Sequence, residues 1–203
     1  MQRSIAAVSI GLVVAFTSVA PSLAAPQLFG LPPGMSATSG RPTNRLMLRV
    51  PRKVHLDPKF MRQVVPYASA ERAGTLIVNT GDHFLYLVLG GGKAMRYGIG
   101  TAKTGFEWSG VHKITNKREW PDWTPPKEML ARRPDIPTHM DGGLNNPLGA
   151  RALYIGSTLY RIHGTTEPWT IGGDVSSGCI RMVNDDVIDL YSRVKIGAKV
   201  IVL

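Results

Sequence analysis

Thr75-Leu76-Ile77-Val78-Asn79-Thr80 runs into Gly81-Asp82, then His83-Phe84-Leu85-Tyr86-Leu87-Val88-Leu89, then Gly90-Gly91-Gly92. Two short runs of β-branched, aromatic and aliphatic residues, each closed by glycine, predict antiparallel strands joined by tight turns. Met95, Tyr97 and Ile99 alternate in the next segment and continue the pattern. Arg151 to Ile155 and Thr158 to His163 predict another hairpin, turning at Gly156-Ser157. In its second strand Leu159, Arg161 and His163 share one face, and Tyr160 and Ile162 the other. Val200 to Leu203 is expected to be a final, central strand. The fold read outward from these runs is mainly β with one or two short helices.

Asn184 is a natural helix cap, and Asp185 and Asp186 suit the positive end of the helix dipole. Val187, Leu190, Tyr191 and Val194 then fall on one stripe, and Gly197 can end the helix. Asp57-Pro58 predicts a short helix with Phe60, Met61, Val64 and Val65 on its apolar side. Glu119 to Pro147 is long and irregular, holds Trp120 and Trp123, and is expected to form an ordered lid with a helical turn or two over 127–133.

The N-terminus adds a compartment. Arg3 precedes an apolar run from Ile5 to Ala20, and Ser22-Leu23-Ala24 offers small residues before a cleavage point. Residues 1–24 read as a signal peptide, the run being short for a spanning helix. Residues 25–48 read as a Pro/Gly/Ser-rich linker, 49–73 as an N-terminal extension and 74–203 as the main domain. No stable membrane span is expected after cleavage. The net charge of +10 would often mean nucleic acid, but export argues against it and favours an anionic extracytoplasmic partner.

Two look-alikes fail. Gly98 to Gly105 resembles a phosphate loop but lacks the spacing and the closing G-K-[ST]. The five histidines contain no closely spaced pair of the kind a zinc site uses, so no metal is expected. His83 and His112 are expected within strands.

The one cysteine, Cys179, sits in Ser176-Ser177-Gly178-Cys179-Ile180-Arg181-Met182, with His163-Gly164 sixteen residues upstream. An unpaired cysteine in an exported chain suggests a reactive thiol or an intermolecular bridge; a small buried hydrophobe is the bland alternative. The surrounding polar, flexible turn favours the thiol. His163 would serve as general base, and the amides of Gly178 and Cys179 as an oxyanion hole. The other ring nitrogen of His163 needs an acceptor, either a backbone carbonyl or, less favoured, Asp174. The order His then Cys excludes a papain-like arrangement, and the spacing excludes a caspase-like one.

His163-Gly164-Thr165, Pro168 to Gly172, Ser176 to Met182 and Asn184-Asp185-Asp186 together resemble the catalytic stretch of the L,D-transpeptidase (YkuD-type) family. The likeness covers about Ala73 to Leu203, including Gly98 to Ile114 and Asn146-Pro147-Leu148-Gly149. Ser177 stands where many members carry histidine, and Trp108-Ser109-Gly110 where many carry Thr-Pro-x-Gly. The resemblance implies a β-sandwich or barrel of mixed strands with a lid loop. It implies that Cys179 attacks the third-residue carbonyl of a peptidoglycan tetrapeptide stem, releasing D-alanine and leaving a thioester that an amine resolves. It implies that the Gly164 carbonyl orients His163, that no metal or organic cofactor takes part, and that carbapenems acylate the cysteine. Arg181 would bind a substrate carboxylate or brace its loop; Ser177 and Trp169 would line the cleft. The partners implied are stem peptides, with an outer-membrane protein or lipoprotein as a candidate acyl acceptor, and the compartment is the periplasm or cell wall. A hydrolase using the same thioester and a non-catalytic wall-binding module are the competing functions.

Overall fold

The computed structural model describes residues 56–203; the expected signal peptide and linker lie outside them, as does the start of the extension. Eleven strands follow one another: β1 (Gln63–Pro66), β2 (Leu76–Asn79), β3 (Phe84–Gly90), β4 (Lys93–Gly98), β5 (Thr101–Ala102), β6 (Gly110–Glu119), β7 (Arg151–Ile155), β8 (Arg161–His163), β9 (Asp174–Ser176), β10 (Ile180–Arg181) and β11 (Lys199–Val202). The two α-helices are α1 (Lys127–Arg132) and α2 (Asn184–Arg193). Nine strands form one mixed sheet in the order β1-β4-β3-β2-β11-β6-β7-β8-β10, and β5 pairs with β9 in a small second sheet. The large sheet ends at β1 and β10, so it does not close as a barrel. β11 lies inside it, parallel to β2 and antiparallel to β6.

β6 makes the sheet fold over. Residues 110–113 pair with β11, residues 114–119 pair with β7, and the register with β7 shifts between Ile114 and Asn116. A ten-residue strand that changes partner half-way bends where the ladder is interrupted. Both halves then face one core: Leu76, Val78, Leu85 and Tyr97 from the first, Ile114, Leu153, Ile155 and Ile162 from the second, with Val187, Leu190 and Val194 of α2 against them. Burial of this shared apolar face is the main force holding the halves together.

The Asp57-Pro58 signal produces a single 3-10 turn, Pro58–Phe60, whose cap is the Asp57 side chain accepting from the Lys59 amide at 3.0 Å. It does not continue as a helix. Val64 and Val65 instead pair with Met95 and Ala94 across β1 and β4, because edge pairing satisfies their backbone better than one further turn could. Phe60 is buried between Gly98 and Gly172, where a Cβ on either glycine would collide with it. Phe60→Ala is expected to destabilise the chain by about 3 kcal/mol, readable as a shifted urea midpoint; an unchanged midpoint would show that the extension is not part of the cooperative unit.

His83 is a turn residue at φ 60°, not a strand residue. Within the segment 119–147, Lys127–Arg132 forms the expected helical turn. Trp123 and Met140 exchange both backbone hydrogen bonds at 2.8 Å, and the buried Asn146 donates to the carbonyls of Met140 and Asp141.

Candidate active site

Alternation along β8 turns Ile162 into the core and leaves Arg161 and His163 on the other face. Its parallel partner β10 sets Ile180 beside Ile162 and Arg181 beside His163. Ile180 is buried in the core, so Cys179 and Arg181 lie on the same face as Arg161 and His163, with Cys179 level with Arg161. His163 and Cys179, sixteen positions apart in sequence, are therefore brought onto one face by a short parallel ladder. The Met182 amide donates to the His163 carbonyl at 2.9 Å and extends it.

The former phosphate-loop look-alike supports this ladder. Gly100 and Arg181 exchange backbone hydrogen bonds, each 2.9 Å long, and β5 runs parallel to β9, just before the cysteine turn. The turn is braced by hydrogen bonds where sequence suggested flexibility. The Ser176 hydroxyl accepts from the Gly178 amide at 3.1 Å and donates to the Cys179 carbonyl at 2.5 Å. Gly178 has φ 110°, and a Cβ there would run into the Tyr160 ring; only glycine combines that backbone with that contact. Tyr160 stacks on Trp108 with ring centroids 4.5 Å apart, and Trp108 Nε1 donates to the Gly178 carbonyl at 2.7 Å.

His163 is 4% exposed. Its Nδ1 lies 2.5 Å from the Gly164 carbonyl. A carbonyl can only accept, so Nδ1 carries the proton and Nε2 keeps its lone pair in the neutral ring. Desolvation holds the imidazole down at about 4, against 6.5 ordinarily; the carbonyls of Gly164 and Leu148 oppose this, and the Arg181 and Arg161 charges add to it. An NMR titration of the His163 ring is expected to give a midpoint near that value. The ring would then accept a proton throughout the neutral range and lose that capacity only in strong acid; a midpoint near 6.5 would contradict the burial argument. Burial likewise pushes the Cys179 thiol up, opposed by Arg161 and then by Arg181. At rest both members of the pair are neutral.

The Gly164 carbonyl is held in place by neighbours. Asn184 Oδ1 accepts from the Ala150 amide at 3.0 Å and its Nδ2 donates to the Thr165 carbonyl at 3.2 Å. A Cβ on Gly149 or Gly164 would strike that same Oδ1. This corrects the reading of Asn184 as a helix cap: it is the first residue of α2, Val183 occupies the cap position, and no side chain caps the helix. The amide is worth more satisfying two loop groups than one of the several unpaired amides at the helix start.

Asp174 is engaged elsewhere, accepting from Thr101 Oγ1 at 2.7 Å with His83 Nε2 at 3.0 Å, so the carbonyl and not the acid meets His163. Arg181 Nη1 donates to Glu167 at 2.9 Å, an ion pair that braces the loop after His163. Ser177 is exposed beside the cysteine, and Trp169, 65% exposed, projects from the 3-10 turn Pro168–Thr170. A pocket of about 200 Å³ borders the cysteine turn, its lining including Thr101, Glu107, Trp108, Asp174, Gly178 and Ile180. Trp108 and Tyr160 reach the cysteine turn only through contacts distant in sequence, whereas Arg161 and Glu167 lie within four residues of His163; the sequence alone singles out none of the four as a site residue. Among the described residues, no group of three His, Cys, Asp or Glu side chains is placed to hold a metal ion, and no helix is long and apolar enough to cross a membrane.

A family model described as YkuD, the L,D-transpeptidase catalytic domain, matches residues 73–202. The chain belongs to the L,D-transpeptidase catalytic-domain family. It is 40% identical over 107 residues to the probable L,D-transpeptidase ErfK/SrfK of Escherichia coli K12, covering 51% of this chain and 34% of that protein. It is 33% identical over 132 residues to the probable L,D-transpeptidase YbiS of the same strain, covering 62% and 43%. The chain thus spans less than half the length of either relative. L,D-transpeptidase 3 from Mycobacterium tuberculosis shares the fold, with TM-score 0.51 at 17% identity over 64% of this chain and 61% of that one. The folded-over mixed sheet is therefore an L,D-transpeptidase fold, and its β8–β10 ladder carries the Cys179–His163 pair.

Proposed function

We propose that this L,D-transpeptidase family member is exported to the periplasm or cell wall and transfers the acyl group of a peptidoglycan tetrapeptide stem through Cys179. The observation that carries this reading is the pairing of a half-buried thiol with an imidazole whose Nδ1 is committed to the Gly164 carbonyl. Nε2 of His163 takes the thiol proton as sulfur attacks the third-residue carbonyl. The tetrahedral oxyanion sits against the Cys179 amide. The Gly178 amide joins only by leaving Ser176 Oγ, so its part is smaller than a simple two-amide hole implies. His163 returns the proton to the departing D-alanine nitrogen, leaving a thioester and a free amine. An incoming amine then attacks the thioester, gives its proton to His163, and the thiol is regenerated.

The acceptor is a second stem, a free D-amino acid or a protein amine. The basic surface suits a carboxylate-rich wall. Arg181 braces the site through Glu167, while Ser177 and Trp169 stand at its rim for substrate contact. Incubation of the protein with disaccharide-tetrapeptides, followed by mass spectrometry, is expected to show D-alanine loss and a 3→3 linked dimer. Tripeptide without dimer would make water the acceptor under those conditions. An unchanged tetrapeptide would remove the stem as donor.

A further inference from the structure

The face that carries His163 and Cys179 holds another cation, Arg161, that the acyl-transfer steps leave unused. It sits two residues before His163 in β8, and continuing the parallel register one residue back from the Ile162–Ile180 pair sets it beside Cys179. Its guanidinium carbon lies 5.1 Å from the centre of the Tyr154 ring, and Nη1 donates to the Leu159 carbonyl at 3.3 Å. Nε is buried and has no hydrogen-bond partner. A buried guanidinium N–H without an acceptor is unfavourable, and it points to an acceptor that exists for only part of the cycle. The group beside it is the Cys179 sulfur, which both the Arg161 amide and its side chain face.

We propose that Arg161 is the cationic partner of the Cys179 thiolate, stabilising the sulfur's negative charge as the proton passes to His163 and again when the thioester breaks. The proposal rests on the thiol chemistry set out above. The step is a proton transfer alone: S–H breaks, Nε2–H forms, the electron pair stays on sulfur, and no redox partner is involved. An arginine suits the role because it cannot itself give up a proton and its flat group stacks on Tyr154. Its charge also disfavours an imidazolium at His163, which keeps that ring ready to accept. The other charged or titratable groups around the sulfur are His163 of β8, Arg181 of β10 with its charge shared by Glu167, and the Tyr154 phenol of β7 beneath the guanidinium.

The test is the pH dependence of Cys179 alkylation by iodoacetamide, followed by intact mass, in the wild-type protein, Arg161→Met and Arg161→Lys. Because the Arg161 amide remains in every variant, only the side chain is removed. The midpoint of the Met variant is expected to rise by about one pH unit or more, with the Lys variant between it and wild type. Coincident wild-type and Met profiles would overturn the proposal. If Arg161→Met does not melt cooperatively, Arg161→Gln is held to the same criterion. Alkylation needs no wall fragment, so a shifted midpoint in a protein that releases no D-alanine supports Arg161 while removing only the stem substrate.

Discussion

Cys179→Ala is expected to release no D-alanine from tetrapeptide stems above background, a loss of at least ~10⁴-fold in kcat/KM. Alanine removes the only cysteine in the chain and leaves the backbone donors, the imidazole and the cleft intact, so binding survives while the covalent step disappears. Cys179→Ser should fare little better. An alcohol is far harder to ionise than a thiol, and a ring held at about 4 is too weak a base to compensate. Stability should change little, because the side chain is small and half-buried. Product mass spectrometry beside a thermal melt separates the two effects. Undiminished D-alanine release in the folded alanine variant would rule out the thioester route.

Asn184→Ala is expected to cost about 2–4 kcal/mol of stability and to lower activity in the molecules that remain folded. The substitution strands the Ala150 amide and the Thr165 carbonyl, and each buried polar group left unpaired costs about 1–3 kcal/mol. Thr165 follows the glycine whose carbonyl holds His163 Nδ1, so the imidazole loses part of its support as well. Urea denaturation measures the first effect. The second should show as a lower kcat with KM little changed, since orientation of the base matters in the transition state more than in the bound state. An Asn184→Ala protein with wild-type stability would return Asn184 to a minor role at the start of α2.

Much of the architecture was legible from local pattern. The strand runs from Thr75 onward and the apolar stripe of α2 occur where periodicity and glycine placed them, and the β7–β8 hairpin forms with a longer turn than Gly156-Ser157, its second strand starting at Arg161 and not Thr158. Periodicity reports whether a face is buried, and those faces are. It misled where local preference competed with a partner. Val64 and Val65 have a helical spacing from Phe60 but found β4 as a ladder partner. Asn184 has a capping residue's chemistry but met two loop groups distant in sequence.

By itself the sequence determined a mainly β chain with a late amphipathic helix and a His-Gly and Ser-x-Gly-Cys-x-Arg pair, because turn chemistry, alternation and residue reactivity are local properties. The tertiary structure decided how the pair meets. Parallel pairing of β8 with β10 aligns Ile162 with Ile180 and His163 with Arg181, which brings Cys179 to the Arg161 end of the ladder; Ser176 braces the turn, and Trp108 and Tyr160 close over Gly178. The parallel ladder has no hairpin to announce it, and a hydrogen bond between residues dozens of positions apart leaves no trace in either segment. The charge and solvation that set the thiol and imidazole are properties of that assembled face, and they arise only once the folded-over sheet has buried it.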